Sequence, residues 1–117
     1  MNDQIMTVTA AATEHGPVLV VAGDLDLHTV PLVREALREL ALGPGRRLFL
    51  DLRGLTFCDS SGIACLIEAS NQAASAGSGI ALVAVPAPVQ RILRMVGLTQ
   101  MLRMYDSVAD ANRAPSG

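Results

Sequence analysis

The stretch Leu48-Phe49-Leu50-Asp51-Leu52-Arg53-Gly54-Leu55-Thr56-Phe57-Cys58-Asp59-Ser60-Ser61-Gly62-Ile63-Ala64-Cys65-Leu66-Ile67 changes its hydrophobic period midway. It opens as an apolar run too short for a helix, which predicts a strand buried on both faces. It ends with Ile63, Leu66 and Ile67, joined further on by Ala73 and Ala74, on one face of a helix predicted from about Ser61 to Ala76. A strand covered on both sides and followed at once by an amphipathic helix requires a sheet with helices packed on it. Between the two lies Asp59-Ser60-Ser61-Gly62, small and polar. Two adjacent hydroxyls therefore stand at a helix N-terminus, where free backbone N–H groups and the helix dipole favour an anion.

The flanking segments repeat this alternation. Ile5-Met6-Thr7-Val8-Thr9-Ala10 is β-branched and alternating, which predicts an edge strand. Turn chemistry in Thr13-Glu14-His15-Gly16-Pro17 leads into Val18-Leu19-Val20-Val21-Ala22, a second buried strand closed by the polar break Gly23-Asp24-Leu25-Asp26. Thr29 as N-cap and Pro31 in the first turn open a helix. Its apolar stripe is Val33, Ala36, Leu37, Leu40 and Ala41, and Gly43-Pro44-Gly45 ends it. After the turn Gly77-Ser78-Gly79, Ile80 to Val85 is a strand. Pro86-Ala87-Pro88 then starts a helix with Val89, Ile92, Leu93 and Val96 inward and Gly97 as its stop. Met101 to Tyr105 predicts a last short strand, and Asp106 or Ser107 caps a final helix through Ala111, with Ser107-x-x-Asp110 as a capping box. The order is β-β-α-β-α-β-α-β-α: a single α/β domain with a mixed, mostly parallel sheet and helices packed on it.

Composition excludes several classes of function. Apolar residues make up 50% and charged residues 17%, which fits a filled core rather than disorder. Aromatics at 3% leave no stacking platform for single-stranded nucleic acid, and a net charge of -2 gives no phosphate-seeking basic face. No nucleic-acid partner is expected. Met1-Asn2-Asp3-Gln4 is not a basic export leader, and no apolar stretch approaches the ~18 residues of a membrane span. The cytoplasm is thus the expected compartment, with no membrane association. Cys58 and Cys65, the two cysteines, form no C-x-x-C or Cys/His cluster and read as small buried thiols in a reducing compartment. No metal or cofactor is expected. Met95, Met101 and Met104 read as core filler, and Arg91, Arg94 and Arg103 as a solvated charged face.

Asp59-Ser60-Ser61-Gly62 after the central strand, Gly23-Asp24-Leu25-Asp26 after the second strand, and the element order together resemble the anti-sigma factor antagonists, single-domain proteins of the STAS fold. The resemblance covers about Met6 to Ala111; it places a STAS domain at residues 4–112 and a disordered tail at 113–117. It implies that Ser61 is phosphorylated by a partner serine kinase that is itself the anti-sigma factor. Unphosphorylated, such a protein holds the kinase and frees the sigma factor; phosphorylated, it lets go, and a PP2C-type phosphatase resets it. The resemblance puts Gly23, Asp24, Asp26, Asp59, Ser60 and Gly62 on the kinase-facing surface. From the residues themselves, a phosphate on Ser61 is favoured by the helix N-terminus and repelled by Asp59 and by partner carboxylates once desolvated. Gly62 is read as keeping the hydroxyls accessible, and Asp59 as the cap of the helix. The plainer reading makes Asp59 or Ser60 an ordinary N-cap, Asp26 or Thr29 the cap of the preceding helix, and His28 a surface residue.

Other functions fit less well. The same fold serves as a small subunit of a lipid-transport ATPase or a stressosome-type scaffold. A serine hydrolase using Ser61 with His28 or His15 lacks the first glycine of Gly-x-Ser-x-Gly, and both histidines precede the serine. A phosphatase built on Asp24-Leu25-Asp26 has His28 where a Thr or Val is wanted, and the chain has no lysine. The chain is therefore expected to be a binding protein, not an enzyme.

Overall fold

The computed structural model describes residues 6–114. Its elements are β1 (Thr7–Thr13), β2 (Gly16–Leu25), α1 (Val30–Arg38), β3 (Arg47–Asp51), β4 (Leu55–Cys58), α2 (Ser60–Ser75), β5 (Gly79–Val83), α3 (Ala87–Met95), β6 (Met104–Tyr105) and α4 (Val108–Arg113). The sheet runs β1-β2-β3-β5-β6, with β4 paired to β2. β1 is antiparallel to β2 and forms the edge; every other pairing is parallel. The predicted α/β class, the mixed sheet and the four helices all stand. None of the described helices is long and apolar enough to cross a membrane. Ile5 and residues 115–117, assigned to the first strand and the tail, lie outside the described residues, whereas Arg113, also assigned to the tail, is the last residue of α4.

Continuous apolar runs are explained by two covered faces. Leu19, Val21, Leu48, Leu50 and Leu82 point into the larger core, shared with Val33 and Leu37 of α1, Cys65, Leu66 and Ala69 of α2, and Val89 and Leu93 of α3. Val18, Phe49, Ala81 and Val83 point the other way, under Ala111 of α4. Leu48 and Phe49 are both 0% exposed, as the absence of alternation in that strand requires. Ser107 caps α4 through its side chain, accepting the Asp110 N–H at 3.0 Å.

Five expectations are corrected. The central strand is two strands: the Leu55 N–H donates to the Leu52 carbonyl at 3.0 Å, making a turn at Arg53-Gly54, and β4 then pairs with the far half of β2. Both pieces are apolar, so the hydrophobic pattern alone does not separate them. For the same reason β2 continues to Leu25, because β4 supplies ladder partners to the stretch read as a break, with a bulge between Gly23 and Asp24. α1 stops at Arg38 rather than near Gly43, where the Leu37 carbonyl is taken by the Gln72 side-chain amide at 2.7 Å. Leu40 still packs on the core, but Ala41 is exposed. At the end of α3 the chain reverses: the Gly97 N–H donates to Arg94 O at 3.1 Å and the Leu98 N–H to Leu93 O at 2.9 Å, which turns Leu98 inward. Val96, expected inside, is 57% exposed, and Met95 and Met101, expected as core filler, are 78% and 42% exposed.

The β1–β2 turn is held against the start of β3. The Arg47 N–H donates to His15 O at 2.9 Å, and a Cβ on Gly16 (φ +144°) would lie 1.9 Å from the Arg47 carbonyl oxygen. Gly16→Ala is expected to lose about 3 kcal/mol or more of unfolding free energy in urea titrations. Gly43→Ala, where nothing lies within 4 Å of the added carbon, is expected to stay within about 0.5 kcal/mol of the parent.

Both thiols are free and buried. Burial first, and then the negative charge of Asp59 and the neighbouring Cys65, push Cys58 from an ordinary value of 9.0 up to about 12. Burial and Glu68 push Cys65 up to about 11, with Arg34 opposing. The fold thus holds both thiols neutral, and their contribution is fully present below the unfolded value and lost as pH rises above it. Unfolding free energy should be level on their account up to about pH 8.5 and then fall by up to about 1.4 kcal/mol per pH unit per thiol. With no lysine in the chain, few other groups titrate in that window. Urea titrations between pH 8 and 10 measure the slope, which Cys58→Ser and Cys65→Ala should each reduce.

Candidate functional site

Two loops meet because two strands run side by side. Asp24 lies opposite Phe57 and Leu25 opposite Cys58 in the parallel β2–β4 pair, so the chain leaves both strands at the same end. The Asp59 N–H donates to the Leu25 carbonyl at 3.3 Å, and α2 starts there. Asp59, in extended backbone (φ -97°, ψ -168°), is the N-cap, its Oδ1 accepting the Gly62 N–H at 3.0 Å. A Cβ on Gly62 would lie 2.6 Å from Cys58 Sγ and 2.7 Å from the Leu25 carbonyl oxygen. Gly62 is buried. Its task is therefore to let the first turn of α2 close onto β2 and β4, not to leave the serines accessible as the sequence reading has it.

Ser60 is exposed and Ser61 half-buried at the first two positions of α2. The Gly62 N–H is used by Asp59, while those of Ser60 and Ser61 have no protein acceptor among the described residues. Such unbonded donors at a helix start favour an anion.

The neighbouring loop is laced by side chains. Asp24 Oδ1 accepts from Thr56 Oγ1 at 2.6 Å, tying β2 to β4. Asp26 Oδ1 accepts the N–H groups of His28 at 2.9 Å and Thr29 at 3.1 Å, so Asp26 organises the start of α1. Thr29 stands at the N-cap position without a side-chain cap. Its hydroxyl donates instead to the Asp24 carbonyl at 2.6 Å and accepts the Asp26 N–H at 2.9 Å. Gly23, at the bulge, donates its N–H to Gly54 O at 2.9 Å. Gly23, Asp24, Asp26, Asp59, Ser60, Ser61 and Gly62 thus belong to one end of β2, β4 and α2. His15 sits in the β1–β2 turn, at the opposite end of the strands, and is no partner for Ser61.

The sequence reading missed the apolar surround. Leu27 is 70% and Phe57 51% exposed, flanking the acidic loop and the end of β4. Cys58, Ile63, Ala64, Ile67, Ile92 and Val96 line an open groove of about 380 Å³ between α2 and α3, which ends at Asp59 and Ser60. The available signals were Leu27 inside an otherwise polar loop and Phe57 next to inward Cys58 on a short strand.

Charge at this end is negative, from Asp24, Asp26 and Asp59. Further along α2, Arg34 clamps α1 to α2 by two hydrogen bonds to Glu68, Nε at 2.8 Å and the terminal nitrogen at 3.0 Å. That pairing holds the Glu68 carboxyl below the usual carboxylate range. No group of three His, Cys, Asp or Glu residues among the described residues is placed to hold a metal ion.

The family model described as "Mlab, STAS domain" matches residues 8–103. The anti-sigma F factor antagonist of Paenibacillus polymyxa is 31% identical over 109 residues, covering 91% of this chain and 93% of its own. Among solved structures, an anti-sigma factor antagonist from Mycobacterium paratuberculosis superposes with a TM-score of 0.78 at 21% identity, over 93% of this chain and 92% of that one. SpoIIAA superposes in its unphosphorylated form (TM-score 0.71, 18% identity, 92% and 95% of the two chains) and in its phosphorylated form (TM-score 0.68, 16%, 93% and 98%). With the matched segment spanning nearly the whole sheet and the serine-bearing helix start, the chain belongs to the STAS domain family and, within it, to the anti-sigma factor antagonists.

Proposed function

We propose that this protein is a phosphorylation-controlled partner switch: unphosphorylated, it binds an anti-sigma factor serine kinase and so releases a sigma factor, and phosphorylation of Ser61 ends that binding. The observation that carries this reading is the start of α2, where a half-buried serine lies beside unbonded N–H groups and a capping carboxylate. A phosphate there adds about -1.5 to -2 of charge, which the helix dipole accommodates in the free protein. At an interface the same group loses its water while facing Asp59 and the acidic loop. A change of about 1–3 kcal/mol in partner binding alters affinity roughly 5- to 150-fold, with no refolding. A fold neighbour solved both phosphorylated and unphosphorylated, on the same architecture, supports a switch of this local kind. Gly23, Asp24, Asp26, Asp59, Ser60 and Gly62 form or frame the kinase-facing surface, with Leu27 and Phe57 as its apolar contacts. A PP2C-type phosphatase returns the protein to its binding form, and the cycle runs in the cytoplasm without catalysis by this chain.

Intact mass spectrometry after incubation with ATP and the organism's anti-sigma factor kinase is expected to show one added phosphate, absent in Ser61→Ala. Ser61→Ala is expected to keep kinase binding, while Ser61→Asp and Ser61→Glu weaken it at least about ten-fold. Phosphate found on Ser60, with Ser61 unmodified, would move the site by one residue and defeat the assignment. Equal capture of both forms by the kinase would remove the switch and leave a constitutive scaffold, such as a lipid-transport or stressosome subunit.

The acidic loop has its own test. Asp24→Asn keeps an oxygen to accept from Thr56 while removing the charge, so its melting temperature should stay within about 2 °C of the parent. Kinase affinity should fall several-fold, read by isothermal titration calorimetry. A melting temperature that falls in step with affinity would return Asp24 to a purely structural role.

A further inference from the structure

We propose that the cleft between α3 and β6 binds a small phosphate-bearing anion, at a site separate from Ser61 and independent of the switch proposed for it. The cleft is open to solvent, has a volume of about 590 Å³ and is lined by Gln90, Arg94, Thr99, Gln100, Arg103 and Tyr105, with Met104 as its apolar member, a volume in the range of small-ligand sites. It lies on the other side of α3 from the apolar groove, which uses Ile92 and Val96 and none of these residues. On a chain of net charge -2, it gathers two guanidiniums from separate elements, Arg94 on α3 and Arg103 just before β6. Among the described residues neither is in an ion pair; the arginines that are paired are Arg34, Arg38 and Arg113. One carboxylate, Asp106, lines the cleft as well.

One guanidinium is held in place before any ligand arrives. Gln90 Nε2 donates to Val85 O at 2.8 Å, which leaves its Oε1 to accept from Arg94 at 2.9 Å. That bond orients the Arg94 guanidinium and uses one of its five N–H donors. The backbone of Arg103 is placed at the cleft by its carbonyl, which accepts the Leu82 N–H at 2.9 Å beside β5. Hydroxyls of Thr99 and Tyr105 and the amide of Gln100 complete a wall of donors. Guanidinium forks pair bidentately with phosphate and carboxylate alike. Two forks from different elements together with hydroxyl donors suit a tetrahedral group with three acceptor oxygens better than a planar carboxylate.

The test is a titration of the full ¹⁵N-labelled chain, followed by amide shifts, with pyrophosphate and glycerol 3-phosphate as probes. Malonate and sodium chloride at matched ionic strength are the controls. Saturable shifts on Thr99, Gln100, Arg103 and Tyr105 are expected with both phosphates. Arg94→Gln and Arg103→Gln, both at exposed positions, should each weaken binding at least about ten-fold with the remaining spectrum unchanged. Malonate binding as tightly as pyrophosphate would overturn the phosphate assignment. Shifts centred on Ser60 to Gly62, a response no larger than that to chloride, or variants that bind like the parent would overturn the site. The shift map is read on the unaltered chain, so an unfolded variant does not rescue the proposal.

Discussion

The molecule depends on how the last residue of β2 meets the first turn of α2. Leu25 contributes a carbonyl that accepts from Asp59, and a buried side chain against which Gly62 packs without a Cβ. Any side chain at residue 62 would overlap the Leu25 carbonyl and the Cys58 sulfur, both of which belong to strands buried in the core. The helix start is therefore pressed against the sheet at the point where two parallel strands end together. From that contact follow the position of both serines, the cap by Asp59 and the nearness of the acidic loop. A helix start held only by its cap would contribute about 1 kcal/mol to its own placement; packing on two strand ends adds a steric term that a cap cannot supply.

Much of this was legible in the residues, for reasons that can be named. The change of hydrophobic period around Asp59 marks the strand-to-helix joint because burial on two faces and burial on one helical stripe leave different patterns. The N-cap role of Asp59 and that of Ser107 follow from local chemistry within four residues, and both hydrogen bonds form as expected. What failed was long-range. Nothing local tells that Gly23-Asp24 finds ladder partners in Leu55 and Phe57, about thirty residues away, so a strand looked like a break and two strands looked like one. The end of α1 closes early in backbone bonds from Glu39 to Ala36 and from Leu40 to Leu37, beside a side chain from another helix, Gln72, that no local pattern announces. Val96 and Leu98 are both apolar and two residues apart; which one faces the core is decided by the chain reversal at Gly97, not by helical spacing. Exposed Leu27 and Phe57 left only weak signals, an apolar residue in a polar loop and one beside inward Cys58, whereas exposed Met95 has no signature of its own until the core is known.

The charges divide the surface into regions of opposite character. Asp24, Asp26 and Asp59 surround the serines, while Arg94 and Arg103 face the cleft on the far side of α3. A small anion would be drawn to the α3–β6 cleft. α3 stands between them, its two flanks carrying apolar Ile92 and Val96 on one side and polar Gln90 and Arg94 on the other.

This arrangement also limits how a modification on Ser61 can act. The capping bond of Asp59, the Thr29 and Thr56 bonds within the acidic loop, and the Arg34–Glu68 clamp between α1 and α2 brace the elements beside the serine. The flanking N–H groups lie at fixed positions and are unbonded, so the free protein can accept the new charge without moving. A bistable core is thus not needed. Under the proposed switch, the cost of the phosphate would fall on the complex, where apolar contacts such as Phe57 and Leu27 would have to close over a doubly charged group and three carboxylates. A rigid surface that changes only its charge has the same shape in both forms. Discrimination in the proposed switch would then come from desolvation and repulsion at the interface, which depend on local burial rather than on distance along the fold.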